Sequence, residues 1–194
     1  MSNYSLIDKI FYFFVLKFKF IRKIFFYIES DIFLKKNHKD DSHVFIAGLA
    51  RSGTTALLNN LYKTGEFASL TYEDMPFILS PNLWKKAKFS KTKTLTSERA
   101  HKDGITIGED SPEAFDEIFW KTFSETSNES YELFKNYISL VLTRYSKQRY
   151  LSKNNQNIKR LSLIKSFFPN STIFVTFREP YNHACSLLRQ HNRF

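Results

Sequence analysis

Cysteine is almost missing from this chain of 194 residues. Cys185 is its single thiol, so no intrachain disulfide and no cysteine-based zinc site can form, which suits a reducing compartment. Glycine is scarce as well, at 5 residues, so a stretch that holds two of them within six positions stands out. Long apolar runs are also lacking. In the aromatic N-terminal stretch the longest uncharged run, Ile10 to Leu16, is seven residues, far short of the ~20 that a spanning helix needs. No small-residue cleavage site follows it, which argues against a secretory signal. Acidic residues are outnumbered, 19 against 29 Lys and Arg, giving a formal net charge of +10. Such a surplus favours anionic partners: nucleotides, acidic or sulfated glycans, nucleic acid or anionic lipid. A solvated, lysine-rich surface accounts for many of the same residues.

What is present is globular in kind. Hydrophobic residues make up 42% and charged residues 25%, and the length suffices for one domain with a sizeable core. The 21 Phe accompany frequent Lys, Asn and Ile, a bias that genome base composition also produces, so the Phe count carries no functional reading. Residues 1–40 are expected to form a basic, aromatic helical segment, and residues 41–194 a second unit. Within the first, residues 5–36 have two readings: a helix packed on the domain, or an interfacial helix on an anionic membrane. A partner-binding arm is a third.

Beyond the polar break at 35–41, apolar segments alternate with helical ones. A strand is expected near His43 to Ala47, a helix from Thr54 to Tyr62 ended by Thr64-Gly65, and a short extended stretch at 67–71. Asp74-Met75-Pro76 predicts a helix start, and residues 85–104 predict a long mobile loop. A short strand is expected at 106–108. Ser111-Pro112-Glu113 predicts a second helix start, running through Trp120. Tyr131, Phe134, Ile138, Leu142 and Tyr145 have helical spacing. A strand at 149–153, a helix at 158–168, a strand at 171–177 and a helix from Tyr181 complete the series. The 171–177 segment is too apolar for a strand covered on one side only. The alternation predicts an α/β fold with a central parallel sheet flanked by helices.

Chemistry is expected at two strand-to-helix turns, both at the carboxyl edge of that sheet, where open α/β sheets bind ligands. The first is Gly48-Leu49-Ala50-Arg51-Ser52-Gly53-Thr54-Thr55. It has Walker A spacing, G-x-x-x-x-G-K-[ST], except that Thr54 stands at the lysine position and a cation sits earlier, at Arg51. Arg51, the N–H groups of Gly53 and Thr54, and the hydroxyls of Ser52, Thr54 and Thr55 suit a tetrahedral oxyanion. The second turn carries Arg178, with Ser186 eight residues later on the following helix. A guanidinium and a hydroxyl so placed can hold another phosphate, although Arg-Glu-Pro also reads as a capping turn.

With Lys153 after a short strand, these residues resemble the sulfotransferase superfamily, which uses 3′-phosphoadenosine 5′-phosphosulfate (PAPS) and has a three-layer fold like that of P-loop nucleotide kinases. The resemblance spans roughly residues 43–194 and is nearest to the bacterial and carbohydrate branches, with some likeness to the protein-tyrosine branch. It implies that Arg51, Ser52, Gly53, Thr54 and Thr55 bind the 5′-phosphosulfate and that Arg178 and Ser186 bind the 3′-phosphate. It implies a role for Lys153 at the bridging oxygen, a hydroxyl acceptor with carbohydrate foremost, and no metal. A carboxylate base is implied near Glu73-Asp74, with Asp74 preferred and Glu109, Asp110 and Glu113 in reserve; His101 and His183 are weaker candidates. The resemblance also implies a nucleotide-binding half-site followed by a fold incomplete at its C-terminus, because family members usually continue well past the position of Phe194. A cytoplasmic enzyme, peripheral at the inner face of the membrane, without nucleic acid, is the matching expectation. Two other readings stay open: a degenerate P-loop kinase or NTPase, and an inactive remnant that binds membrane or polyanion.

Overall fold

The computed structural model describes residues 13–34, 42–87, 97–98, 106–124 and 128–192. Helix α1 (Lys19–Phe33) precedes the sheet-forming region: β1 (Val44–Gly48), α2 (Thr54–Tyr62), β2 (Phe67–Ala68), a 3₁₀ turn (Tyr72–Asp74) and α3 (Pro81–Ala87). A two-strand ladder, β3 (Ser97–Glu98) with β4 (Thr106–Ile107), leads to α4 (Glu117–Phe123) and α5 (Asn128–Tyr145). Then come β5 (Arg149–Lys153), a second 3₁₀ turn (Asn155–Lys159), α6 (Leu161–Phe167), β6 (Thr172–Thr176) and α7 (Pro180–His191).

Strands β2, β5, β1 and β6 lie side by side in that order, all parallel. Strand β1 is central and every one of its residues is buried, so its side chains serve both faces in turn. Phe45 joins the larger core with Phe26 of α1, Phe119 of α4, Tyr137 of α5 and Ile164 of α6. Val44 and Ile46 point the other way, into a smaller core with Leu58 of α2 and Leu151 of β5. The result is the helix–sheet–helix layering expected from the alternation of segments.

Helix α1 is bound to this body by more than apolar contact. The buried Arg22 donates from Nε to Thr122 Oγ1 of α4 at 2.8 Å. Glu29 is fully buried, and its carboxylate accepts from Asn82 N at 2.8 Å, Leu83 N at 2.8 Å and Asn82 Nδ2 at 2.7 Å. Those amides belong to the first turn of α3, so α1 caps a helix 53 positions further along the chain. Burial pushes the Glu29 carboxyl above the usual carboxylate range, and the hydrogen bonds oppose that shift. Glu29→Ala is expected to cost ~2 kcal/mol and to lower the thermal unfolding midpoint, read by circular dichroism, because two first-turn helix amides, one of them buried, lose their acceptor.

Three sequence expectations are corrected. The helix placed at Asp74-Met75-Pro76 begins instead at Pro81, because Asp74 closes a capping box with Thr71 around the 3₁₀ turn. The helix placed at Ser111-Pro112 begins at Glu117: Ser111 Oγ turns back to accept from Gly108 N at 2.9 Å, and Pro112 bridges to Thr71. Strand β6 forms, but at the sheet edge and largely exposed rather than covered on both faces. Most of the loop expected at 85–104, and His101, lie outside the described residues.

Candidate functional site

The Gly48–Thr55 loop leaves the carboxyl end of β1 and enters α2. Three of its residues have positive φ: Gly48 at 148°, Arg51 at 70° and Gly53, the residue before α2, at 95°. The turn is held from within. Ser52 Oγ donates to Leu49 O at 2.7 Å and lies 2.7 Å from Thr176 Oγ1 of β6, while Ser52 N donates to Leu49 O at 3.2 Å. The Ser52 hydroxyl therefore fastens the loop to the neighbouring strand. Helix α2 starts where this loop ends, so the N–H groups of its first turn, which lie ahead of the intrahelical hydrogen-bond ladder, are at the end of the loop. Among the described residues, nothing beyond its chain neighbours lies within 4 Å of a Cβ placed at Gly53.

The second turn is adjacent to the first because β6 pairs with β1 in register, Gly48 opposite Thr176. Arg51 Nε donates to Ser186 Oγ of α7 at 3.2 Å, and His183 Nε2 donates to Ala50 O at 2.7 Å. The two sequence-predicted turns thus touch, and one guanidinium reaches from the loop to the hydroxyl on α7. Arg178 is exposed on the β6–α7 turn. Its neighbour Glu179 caps α7, accepting from Tyr181 N at 3.0 Å and Asn182 N at 2.8 Å, and these bonds hold its carboxyl below the usual carboxylate range.

Lys153 ends β5 beside β1, in register with Ile46 two residues before the loop. Its Nζ lies 3.3 Å from Glu113 Oε1, both side chains being largely buried. Glu113 is brought there by Glu113 N donating to Leu70 O at 3.3 Å, which lays the segment before α4 along residues 70–71. Glu73 and Asp74 separate in character. Asp74 is fully buried: Oδ1 accepts from Arg144 Nε at 3.1 Å, and Oδ2 accepts from Thr71 N at 3.0 Å and from the Tyr145 hydroxyl. Glu73, with 45% of its side chain exposed, touches Arg144 Nη2 at 3.3 Å through one oxygen.

A polar layer beneath the site was not legible in the sequence. Asp116 accepts from Ser152 Oγ and from Asn154 Nδ2, the latter at 3.3 Å. Asn154 Nδ2 also donates to Glu117 Oε2 at 2.7 Å, and the buried Arg160 reaches the same oxygen at 3.1 Å. The available signal was the polar run Ser152-Lys153-Asn154 directly after the apolar pair Tyr150-Leu151. Burial raises Asp116 to about 6 from 3.8. A carboxyl that holds its proton more tightly when folded stabilises the fold fully below pH ~4 and loses that contribution as pH rises through ~6. Urea unfolding reads this out: Asp116→Asn is expected to lose the part of the pH dependence that Asp116 contributes, on the order of 3 kcal/mol, and to keep the part due to Glu29 and Asp74, whose carboxyls burial also raises.

A model described as the sulfotransferase family matches residues 43–194 of the chain. Among solved structures, the chain is similar to the sulfotransferase STF1 from Mycobacterium tuberculosis H37Rv, with a TM-score of 0.51 and 16% identity. That likeness is one of fold; it covers 91% of this chain and 57% of the other, so the chain spans little more than half of that protein's length. Among curated protein sequences none matches.

Proposed function

This chain belongs to the sulfotransferase family, and from that premise we propose that it transfers the sulfuryl group of PAPS to an acceptor hydroxyl, a carbohydrate being the class its resemblance favours. The observation that supports this reading best is the Arg51–Ser186 contact at 3.2 Å. It joins the anion-binding turn of β1 to the hydroxyl of α7, so that a ligand with phosphate groups at both ends of one ribose can meet both turns together. Thr54 at the Walker lysine position disfavours an ordinary ATP site.

When bound, PAPS supplies an activated sulfuryl group whose leaving oxygen belongs to the 5′-phosphate. The chain's part is to place that group and to meet the charge that develops on the leaving oxygen. The first-turn amides of α2, the hydroxyls of Thr54 and Thr55 and the Arg51 guanidinium hold the 5′ end. Arg178 and Ser186 hold the 3′-phosphate. Lys153, kept in place by Glu113, offers its ammonium to the leaving oxygen. Glu73 takes the proton of the attacking hydroxyl. It replaces Asp74 in this role because a base must reach the acceptor, and the Asp74 oxygens are buried and occupied.

Calorimetric titration with 3′-phosphoadenosine 5′-phosphate tests the reading, with Mg²⁺-ATP as the control ligand. The nucleotide bisphosphate is expected to bind, and Arg51→Ala is expected to weaken it by ~2 kcal/mol, roughly thirtyfold. Folded protein that binds only Mg²⁺-ATP, or neither ligand, would contradict the proposal.

A further inference from the structure

Helix α1 has two opposed faces. Arg22, Phe26 and Glu29 turn inward and are buried. Phe20, Ile24, Tyr27, Ile28 and Ile32 recur at helical spacing on the opposite face, and all are exposed, Phe20 to 72% and Ile32 to 58%. Phe13 and Phe14 extend the exposed apolar surface toward the N-terminus. The inner face already anchors the helix through Glu29 and Arg22, so the outer stripe is not needed for folding. Its charge is one-sided. Lys17, Lys19 and Lys23 are exposed beside it, and with Lys121 of α4 they line a groove whose apolar walls include Leu16 and Phe123. Asp31 is the exposed acid on α1, near its C-terminal end, since Glu29 is buried.

We propose that α1 is a membrane-docking helix that lies in the plane of an anionic bilayer. The stripe from Phe20 to Ile32 enters the boundary between headgroups and acyl chains, and the lysines that border it meet lipid phosphates. Charge complementarity decides the occupant: a basic helix on a chain of net charge +10 fits an anionic lipid surface better than a second, equally basic copy of itself. Among the described residues no helix is long and apolar enough to cross a membrane, so the contact is one of lying on the surface rather than spanning. The proposal does not depend on the sulfuryl-transfer reading.

Vesicle flotation of the full chain tests it, with phosphatidylcholine vesicles compared against vesicles that also contain phosphatidylglycerol. Binding is expected with the anionic vesicles and is expected to fall steeply as salt rises. Lys19→Gln with Lys23→Gln should weaken it roughly fivefold per lysine. Phe20→Ser with Ile24→Ser should reduce it by more than about tenfold, with the thermal unfolding midpoint unchanged because both side chains are exposed. Three results would overturn the proposal. One is no flotation by folded protein. The second is wild-type flotation of both double variants, which would assign binding to general surface charge. The third is a wild-type dimer that the Phe20/Ile24 variant dissociates without any vesicle binding, which would make the stripe a protein contact.

Discussion

Gly48→Ala is expected to abolish nucleotide binding and to destabilise the fold by ~3 kcal/mol. A Cβ at this position would stand 2.4 Å from Thr176 Oγ1, 2.7 Å from Thr176 O and 2.8 Å from Ser52 Oγ. The threonine hydroxyl can rotate away, but the carbonyl belongs to the backbone of β6, held in register against Gly48. Relief requires β6 or the loop to shift, and shifting costs ~1–3 kcal/mol for overpacking, to which the φ of +148° adds strain. Movement of either partner also breaks the Ser52–Thr176 contact and displaces Arg51 from Ser186. Gly53→Ala is the internal comparison. Its φ is +95°, but among the described residues nothing lies within 4 Å of the added Cβ, so only the conformational cost of ~1–2 kcal/mol applies. Thermal unfolding and calorimetry on both variants separate steric from conformational effects: the Gly48 variant should lose binding and stability together, and the Gly53 variant should keep most of its stability. Equal behaviour of the two would show that the close approach of β6 does not control the loop.

That loop was legible in the sequence because its chemistry is local. Two glycines at fixed spacing, an apolar strand before and a helical run after determine a turn without reference to the rest of the chain. Helix α5 was legible for the same reason, through its periodicity, and α7, expected from Tyr181, begins one residue earlier at Pro180. What escaped the sequence depends on partners far along the chain. The helix expected at Asp74-Met75-Pro76 begins at Pro81 instead, because Asp74 is taken up in the capping box with Thr71 and Glu29, 53 residues before Asn82, accepts from Asn82 N and Leu83 N. Strand β6 is apolar on both faces, which composition reads as double coverage. Strand order places it at the edge instead, with Phe174 and Val175 exposed and Phe177, just beyond, 87% exposed. The sequence favours Asp74 over Glu73 as the base and does not single out Asp116, yet both aspartates prove to be buried. Only the tertiary packing buries them and fills their oxygens with donors.

Asp74→Ala should be the most destabilising change in the region, and it separates a structural carboxylate from a catalytic one. The side chain is fully buried and accepts from Arg144, Thr71 and Tyr145, so its removal strands an arginine whose own side chain is only 8% exposed. Breaking a buried pair from one side costs ~3–5 kcal/mol, since the remaining charge keeps its desolvation penalty and loses its partner. For a chain of this length that is a fall in unfolding midpoint on the order of 10 °C. Glu73 retains one contact to Arg144 at 3.3 Å, but its exposure limits how much it can compensate. Glu73→Gln should leave the midpoint almost unchanged, because the amide oxygen can still accept from Arg144. If Glu73 is the base, the same variant should slow sulfuryl transfer by about 10²–10⁴-fold, with affinity for 3′-phosphoadenosine 5′-phosphate preserved. A panel of saccharides with PAPS as donor provides the turnover assay. Normal turnover in Glu73→Gln, or an Asp74→Asn variant that is fully stable yet inactive, would return the role to Asp74. The expected pattern is the opposite one: stability lost at Asp74, turnover lost at Glu73, and nucleotide affinity lost at Arg51.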